Sequence, residues 1–253
     1  MKRFISNKNI RFILGLLLLV ILWQALAIYI DEKTMVFPGP IQTIKYTIVL
    51  LGRPYTYKCI FNTLLKMFGG FIISFLLALI FGCLSGNFDL FEDLLNPTII
   101  TLRSIPTVSL VYLFIVLVGF KMAQMLLVIL ICFPIIYQGV LEGIKNIPIE
   151  IIKASKVDGA GFLINTFKVK LPLAIPYILT AMISSFSLAF KIEIMAEVIT
   201  GSTFAGIGSA ILGARSSNPT DMIPIFAYSL IAIIIMLIID FISLKIIKRY
   251  SNN

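Results

Sequence analysis

Long apolar runs alternate with short polar stretches along this chain. Six of the runs approach the length of about 20 residues that a helix rising 1.5 Å per residue needs to cross a hydrocarbon layer roughly 30 Å thick. They cover residues 12–30, 64–84, 99–118, 122–141, 175–199 and 223–244. In lipid each has to be helical, because an open strand leaves backbone N–H and C=O groups with neither water nor protein to pair with. The pattern predicts an all-α integral membrane protein, one transmembrane domain over residues 1–253 with six spans.

Three intervening segments are patterned too. Phe37-Pro38-Gly39-Pro40 is a turn signal, and Ile41, Ile44, Lys45 and Ile48 follow it at helical spacing. That segment reads either as a short amphipathic helix at the outer surface or as a connector. Residues 201–221 are rich in Gly, Ser and Thr; Ala205-Gly206-Ile207-Gly208, followed by Ala210, Ile211 and Leu212, predicts a short helix against the bundle. Residues 142–173 form the longest cytoplasmic connection and are too apolar for a solvated linker. Pro148 suits the first turn of a helix, Glu150 complements its positive end, and Ile151, Ile152 and Ala154 give it an apolar face. Gly159 and Gly161 allow a tight turn. Phe162, Leu163, Phe167 and Val169 then resume helical spacing until Leu171-Pro172 ends the second helix. An apolar face left uncovered in the cytoplasm waits for a partner.

Lysine and arginine set the orientation. With the N-terminus inside, twelve basic residues fall in cytoplasmic segments and six in outer ones, so both termini are predicted cytoplasmic. The first run also resembles a signal peptide, with Ala25-Leu26-Ala27 as a candidate cleavage site, although its apolar character continues to Ile30. Charged positions also lie within the spans. Glu193 and Glu197 are four residues apart, hence on one helical face, with Lys191 beside them. They either line the outer part of a pathway as candidate gating groups, or snorkel and pair with a neighbouring helix. Arg103 precedes the helix-breaking Pro106 and either contacts a solute or pairs with Asp89, Glu92 or Asp93. Lys66 reads as an interfacial anchor, and Gly69-Gly70 and Gly82-x-x-x-Gly86 as points of close helix approach.

Composition narrows the chemistry. The 253 residues are 59% hydrophobic and only 13% charged, against about 25% charged in soluble domains, and the mean hydropathy is +1.04. The net charge of +9 resides mainly between the apolar runs, which favours a membrane surface over nucleic acid as the basic residues' partner. With no histidine and three dispersed cysteines, a zinc site, a disulfide scaffold and histidine-based catalysis drop out, and no metal site is expected. No G-x-x-x-x-G-K-[ST] phosphate loop occurs.

Lys153-Ala154-Ser155, then three residues, Gly159, nine residues and Val169-Lys170-Leu171-Pro172 resembles the E-A-A-x3-G-x9-I-x-L-P coupling motif of permease subunits of bacterial ABC importers. Lys153 stands where that motif has Glu, and Ser155 where it has Ala. Phe37-Pro38-Gly39-Pro40, Arg103-Ser104-Ile105-Pro106, Ala196-Glu197 with Gly206-Ile207-Gly208, and Asp240 are similar to further motifs of the same family. They extend the resemblance over nearly the whole chain, to the branch serving nitrate, alkanesulfonates, taurine, thiamine-pyrimidine precursors and riboflavin. The resemblance implies a type I importer-like fold in the bacterial cytoplasmic membrane, working as a permease homodimer. It implies two copies of an ATP-binding subunit that hold ATP and Mg and dock on Lys153, Ala154, Ser155, Gly159, Val169, Leu171 and Pro172, and a separate extracytoplasmic binding protein. The chain itself would be non-catalytic and hold no cofactor. A stand-alone secondary transporter or channel is the alternative, disfavoured by the lack of an inverted repeat and by a coupling-type loop with no purpose alone.

Overall fold

The computed structural model describes residues 8–34, 37–157, 159, 161–201 and 205–251. Every regular element among them is helical: α1 (Lys8–Thr34), α2 (Pro40–Leu51), α3 (Pro54–Asn87), α4 (Asp89–Ser104), α5 (Thr107–Lys145), α6 (Ile149–Val157), α7 (Phe162–Ile164), a π turn (Asn165–Lys170), α8 (Leu171–Thr200), α9 (Ile207–Ser217) and α10 (Ile223–Ser251). Among the described residues four stretches are long and apolar enough to cross a membrane, Pro54–Asn87, Thr107–Lys145, Phe162–Thr200 and Ile223–Lys245; the shorter apolar stretch Leu14–Ile30 lies in α1, which runs unbroken through Ala25–Ala27. The chain forms two compact units, Met1–Lys58 with Ala210–Ile234, and Cys59–Ser209 with Ile235–Asn253.

In the first unit the proline-rich turn is an anchor. The Trp23 indole N–H donates to the Pro38 carbonyl at 3.2 Å, while Phe226 stacks on Trp23 at 6.1 Å and meets Phe37 edge-on at 5.1 Å. The Gly39 carbonyl accepts both the Thr43 N–H and the Thr43 hydroxyl, and Pro40, which has no N–H to leave unpaired, opens α2. The segment is therefore a helix. It buries Pro40, Thr43, Thr47 and Leu50 and turns Ile41, Ile44 and Ile48 outward. Burying threonines is inexpensive here because the Thr47 hydroxyl donates to the Thr43 carbonyl at 2.8 Å, so no polar group is orphaned.

Glycine contacts define the second unit. A Cβ on Gly70 would lie 2.8 Å from Val128, one on Gly82 2.7 Å from Val140, and one on Gly86 2.8 Å from Ile144. The offset is 58 residues each time, so α3 and residues 120–145 run parallel with their backbones in close approach. Gly139 meets Ala181 while Gly143 meets Ala174, so α8 packs antiparallel on the same helix. Two parallel neighbours need a return path. Residue 120 is level with about residue 62 of α3, so residues 88–119 climb back roughly 36 Å at 1.5 Å per residue.

That return is broken where the sequence has the helix-breaking Pro106, so the span expected over 99–118 is made of two helices. Helix α4 stops at Ser104, Ile105 is extended (φ −74°, ψ 129°), and α5 starts at Thr107. Pro106 has no N–H to continue the ladder and its ring disfavours helical geometry at Ile105. The break between residues 107–118 and 120–145 falls at Gly119, whose φ of 77° and ψ of 172° suit glycine alone.

A second correction concerns Leu171-Pro172, expected to end the loop's second helix. The backbone instead runs helically from Phe162 to Thr200. The Leu171 N–H reaches back five residues to the Thr166 carbonyl, and widening the turn to π spacing gives room for the ring of Pro172 at the start of α8.

We expect Gly139→Val to destabilise the protein by about 1–3 kcal/mol, because its new side chain overlaps Ala181 where α5 and α8 touch. Gly69→Ala, with open space around the site, should leave stability unchanged or slightly higher. Thermal unfolding of both variants in the same detergent distinguishes them.

Candidate functional site

At one end of the second unit, three segments meet on Glu197. This side chain is fully buried. Lys66 Nζ lies 2.9 Å from its Oε1, the Thr63 hydroxyl is shared between its two oxygens at 3.0 Å, and the Gly208 N–H donates to Oε2 at 2.8 Å. The Ile207 N–H donates in turn to Thr63 Oγ1 at 2.9 Å, and Asn62 Nδ2 donates to the Ala205 carbonyl at 2.7 Å. Ile207 and Gly208 open α9, whose first N–H groups have no partner within the helix, so a carboxylate from α8 and a hydroxyl from α3 cap it from outside. The two glycines of Gly206-Ile207-Gly208 are required by this geometry. A Cβ on Gly206 would overlap the Glu197 carboxylate, and one on Gly208 would overlap the Ile194 carbonyl.

The sequence singled out Glu197 but not its partners. Lys66 is a counter-ion to a buried carboxylate, not an interfacial anchor, because Glu197 is out of reach of water. The available signal was Lys66 itself, an unmatched charge inside an apolar run with Thr63 three residues earlier on the same face. Neither Glu193 nor Glu197 snorkels, since both are fully buried. Among the described residues neither carboxylate oxygen of Glu193 has a hydrogen-bond partner. Nearby in sequence, Thr200 accepts a 2.6 Å bond from Gln124 Nε2 of α5. Lys191 is exposed and outside this network.

At the opposite end stands the loop. From Ala174, which packs on Gly143, to Glu197 is roughly 35 Å of helix, close to the thickness of a bilayer core. Helix α6 begins after Pro148 with Glu150 in its first turn, and it exposes Ile149, Ile151 and Val157, the last at 87%. Lys153 and Ala154 are exposed, Ser155 is half-buried with its hydroxyl on the Ile152 carbonyl at 3.0 Å, and Gly159 takes a left-handed φ of 78°. Val169 and Leu171 are half-buried and Pro172 is exposed. The base of the loop is tied down. Lys170 Nζ donates to Asn87 Oδ1 at 2.6 Å, Asn87 Nδ2 donates to the Cys83 carbonyl at 2.7 Å, and the rings of Phe88 and Phe162 lie 5.2 Å apart.

Arg103 is not paired with the acidic residues after α3. Its guanidinium makes one long hydrogen bond, 3.5 Å, to the Pro134 carbonyl, while Glu92 and Asp89 face Lys145 at the end of α5. Arg103 lies on the wall of a cavity of about 490 Å³ formed with α5 and α8. Asp240 of α10 accepts a hydrogen bond from Ser187 of α8.

Helices long and apolar enough to cross a membrane, a loop tied to their ends and a pocket at the helix faces are the parts of a membrane transport subunit. Residues 70–252 match the binding-protein-dependent transport system inner membrane component family, and the chain belongs to it: it is an ABC transporter permease. Among its relatives, a putative ABC transporter permease protein of Methanocaldococcus jannaschii is 29% identical over 81% of this chain and 78% of that protein. The putative aliphatic sulfonates transport permease protein SsuC of Bacillus subtilis is 27% identical over 86% and 80%, and the nitrate import permease protein NrtB of a Synechocystis strain 27% identical over 84% and 79%. Two solved structures share the fold. The MetNI methionine ABC transporter, in an inward-facing conformation, matches with a TM-score of 0.64 at 20% identity, covering 77% of this chain and 95% of the other. An amino acid ABC transporter with histidines matches at 0.65 and 17%, covering 83% and 97%.

Removing either partner of the buried pair leaves the other uncompensated, so Glu197→Ala and Lys66→Ala are each expected to cost about 3–5 kcal/mol. The double variant should cost less than the two losses added together. Unfolding midpoints of the three variants in detergent, compared as a double-mutant cycle, test the coupling.

Proposed function

We propose that this chain is the permease of an ATP-driven importer, with its coupling loop and both termini in the cytoplasm and its Glu197 end at the outer face. It crosses the membrane six times, counting α1 and the broken return of α4 and residues 107–118. Two copies surround the pathway, two ATP-binding subunits dock below and hold ATP and Mg, and a binding protein delivers a small polar solute above. The cell membrane of a bacterium is the expected location. The permease contributes no covalent step; it supplies two conformations of a helix bundle whose balance is biased from both sides of the membrane.

The observation that carries this reading is the loop end. Helix α6 presents exposed apolar side chains and Gly159 has open space around it, while the segment that follows enters α8 without a break. A push at Phe162 is therefore delivered along a single helix to Glu197, some 35 residues further on. A patch of this kind, at the mouth of a rigid lever, is what a docking ATPase needs.

Purification from the native membrane in mild detergent is expected to bring down a soluble phosphate-loop ATPase at one copy per permease. Recovery of a transport-competent chain without any ATPase would replace the importer by a stand-alone transporter. Within the importer reading, Gly159→Asp places bulk and charge on the docking surface. It should reduce ATPase co-purification by at least about tenfold, a loss of the size expected for a charge left unpaired in an interface, while membrane insertion is preserved. Wild-type association in that variant would remove the loop from the interface.

A further inference from the structure

A groove of about 250 Å³ lies where the last turns of α3 meet the start of the helical run Phe162–Thr200. Leu79, Ile80, Cys83 and Leu84 wall it from α3, and Phe162, Leu163 and Phe167 from the loop; Thr166 contributes its only side-chain oxygen. Thr166 is 3% exposed, and its hydroxyl has no hydrogen-bond partner. Elsewhere in this protein such a hydroxyl is satisfied by the carbonyl four residues back, as at Thr47, Thr180 and Thr200 at 2.7–2.8 Å. Thr166 stands in the π turn, where the backbone repeat is five residues, and makes no such bond. A buried donor is therefore left over in an apolar groove, at a cost that an incoming acceptor removes.

The chemistry of the walls selects the occupant. Water needs about two to four polar partners, and the side chains here offer one. The groove is continuous with an apolar ridge on α3, where Phe68, Ile72, Leu76 and Ile80 are exposed at a spacing of four residues. On a spanning helix such a ridge meets hydrocarbon. The span ends in polar groups about two turns beyond Ile80, where Lys170 Nζ donates to Asn87 Oδ1 at 2.6 Å. The groove thus lies in the outermost layer of hydrocarbon, the depth at which an acyl chain carries its ester carbonyl. An acyl ester is apolar along its length with a single strong acceptor at one end, which matches seven apolar or thiol side chains and one hydroxyl. Lys168, exposed on the same turn, and Lys170 add positive charge that suits a lipid phosphate.

We propose that this groove is a lipid-binding site. It takes one acyl chain of a glycerophospholipid from the leaflet on the loop side, the ester carbonyl accepting from the Thr166 hydroxyl and the phosphate lying toward Lys168 and Lys170. The chain packs between α3 and Phe162, at the point where the loop feeds into α8. The proposal goes beyond the importer reading and requires only that α3 spans the membrane.

The test uses the chain with whatever subunits accompany it, in nanodiscs of phosphatidylcholine containing a small fraction of phosphatidylglycerol with a photoactivatable diazirine near the ester end of one acyl chain. After illumination, labelled residues are mapped by mass spectrometry. Labelling at 79–84 and 162–167 is compared with labelling of the ridge at 65–76, which bulk lipid touches. The groove should be labelled at least about threefold more per residue than the ridge, the preference expected of one added hydrogen bond. Thr166→Val, which keeps the shape and removes the donor, should erase that excess, while Thr166→Ser should retain it. Leu163→Trp, which fills the groove, should abolish groove labelling and leave the ridge unchanged. The proposal is overturned if the groove is labelled no more than the ridge, or if Thr166→Val behaves as wild type. It is equally overturned if the groove is labelled only after an ATPase has been stripped away, which would assign the groove to that subunit. Co-purification of the ATPase is scored separately, so lost labelling with the ATPase retained removes only the lipid site. Labelling retained without any ATPase removes only the importer reading.

Discussion

A carboxylate fully shut off from water is costly unless the protein replaces its hydration shell, and Glu197 receives such a replacement from three segments at once. Lys66 supplies the charge, the Thr63 hydroxyl and the Gly208 N–H supply the remaining donors, and Ile207 orients the hydroxyl. The start of the second unit's α3, the end of α8 and the first turn of α9 are thereby fixed together. Since hydrophobic attraction between helices is weak when the solvent is itself apolar, such a polar knot, with close glycine packing, holds a membrane bundle in register.

The glycine contacts complete the frame and give it direction. With α3 and residues 120–145 parallel and α8 antiparallel to both, one run of helix joins the loop end to the Glu197 end. The breaks are equally placed. Ile105-Pro106, Gly119 and the π turn over Asn165–Lys170 interrupt or widen helices between and beside these tightly packed contacts. Bundle helices that meet through small residues resist deformation, so conformational change is concentrated at the points where the hydrogen-bond ladder is already altered. The Arg103 side chain projects from just such a break, at the last turn of α4 and onto a cavity wall.

Much of this was legible in the residue pattern. Apolar run length alone determined that the chain is a helical membrane protein, because lipid permits no other use for 20 apolar residues in a row. The spacing from Lys153 to Pro172, together with Pro148 and Gly159, determined a short helix and a glycine turn, since proline and glycine impose local geometry whatever surrounds them. Proline also misled where local rules were carried too far: at Pro172 a π turn absorbed the ring and the helix continued.

Which charges meet was decided only by the tertiary structure. Glu197 and Lys66 are 131 positions apart, and nothing in a helical repeat distinguishes that pairing from a lysine reaching for headgroups. Glu193, on the same face one turn earlier, looks equivalent in sequence, yet its carboxylate has no such partners. The same holds for Arg103, separated from its expected acidic partners because Lys145 occupies two of them first. Local geometry is set by short-range sterics and so is written in neighbouring residues. Electrostatic partnership depends on distances across the bundle, and those exist only once the glycines of α3 and α5 have brought the helices into contact.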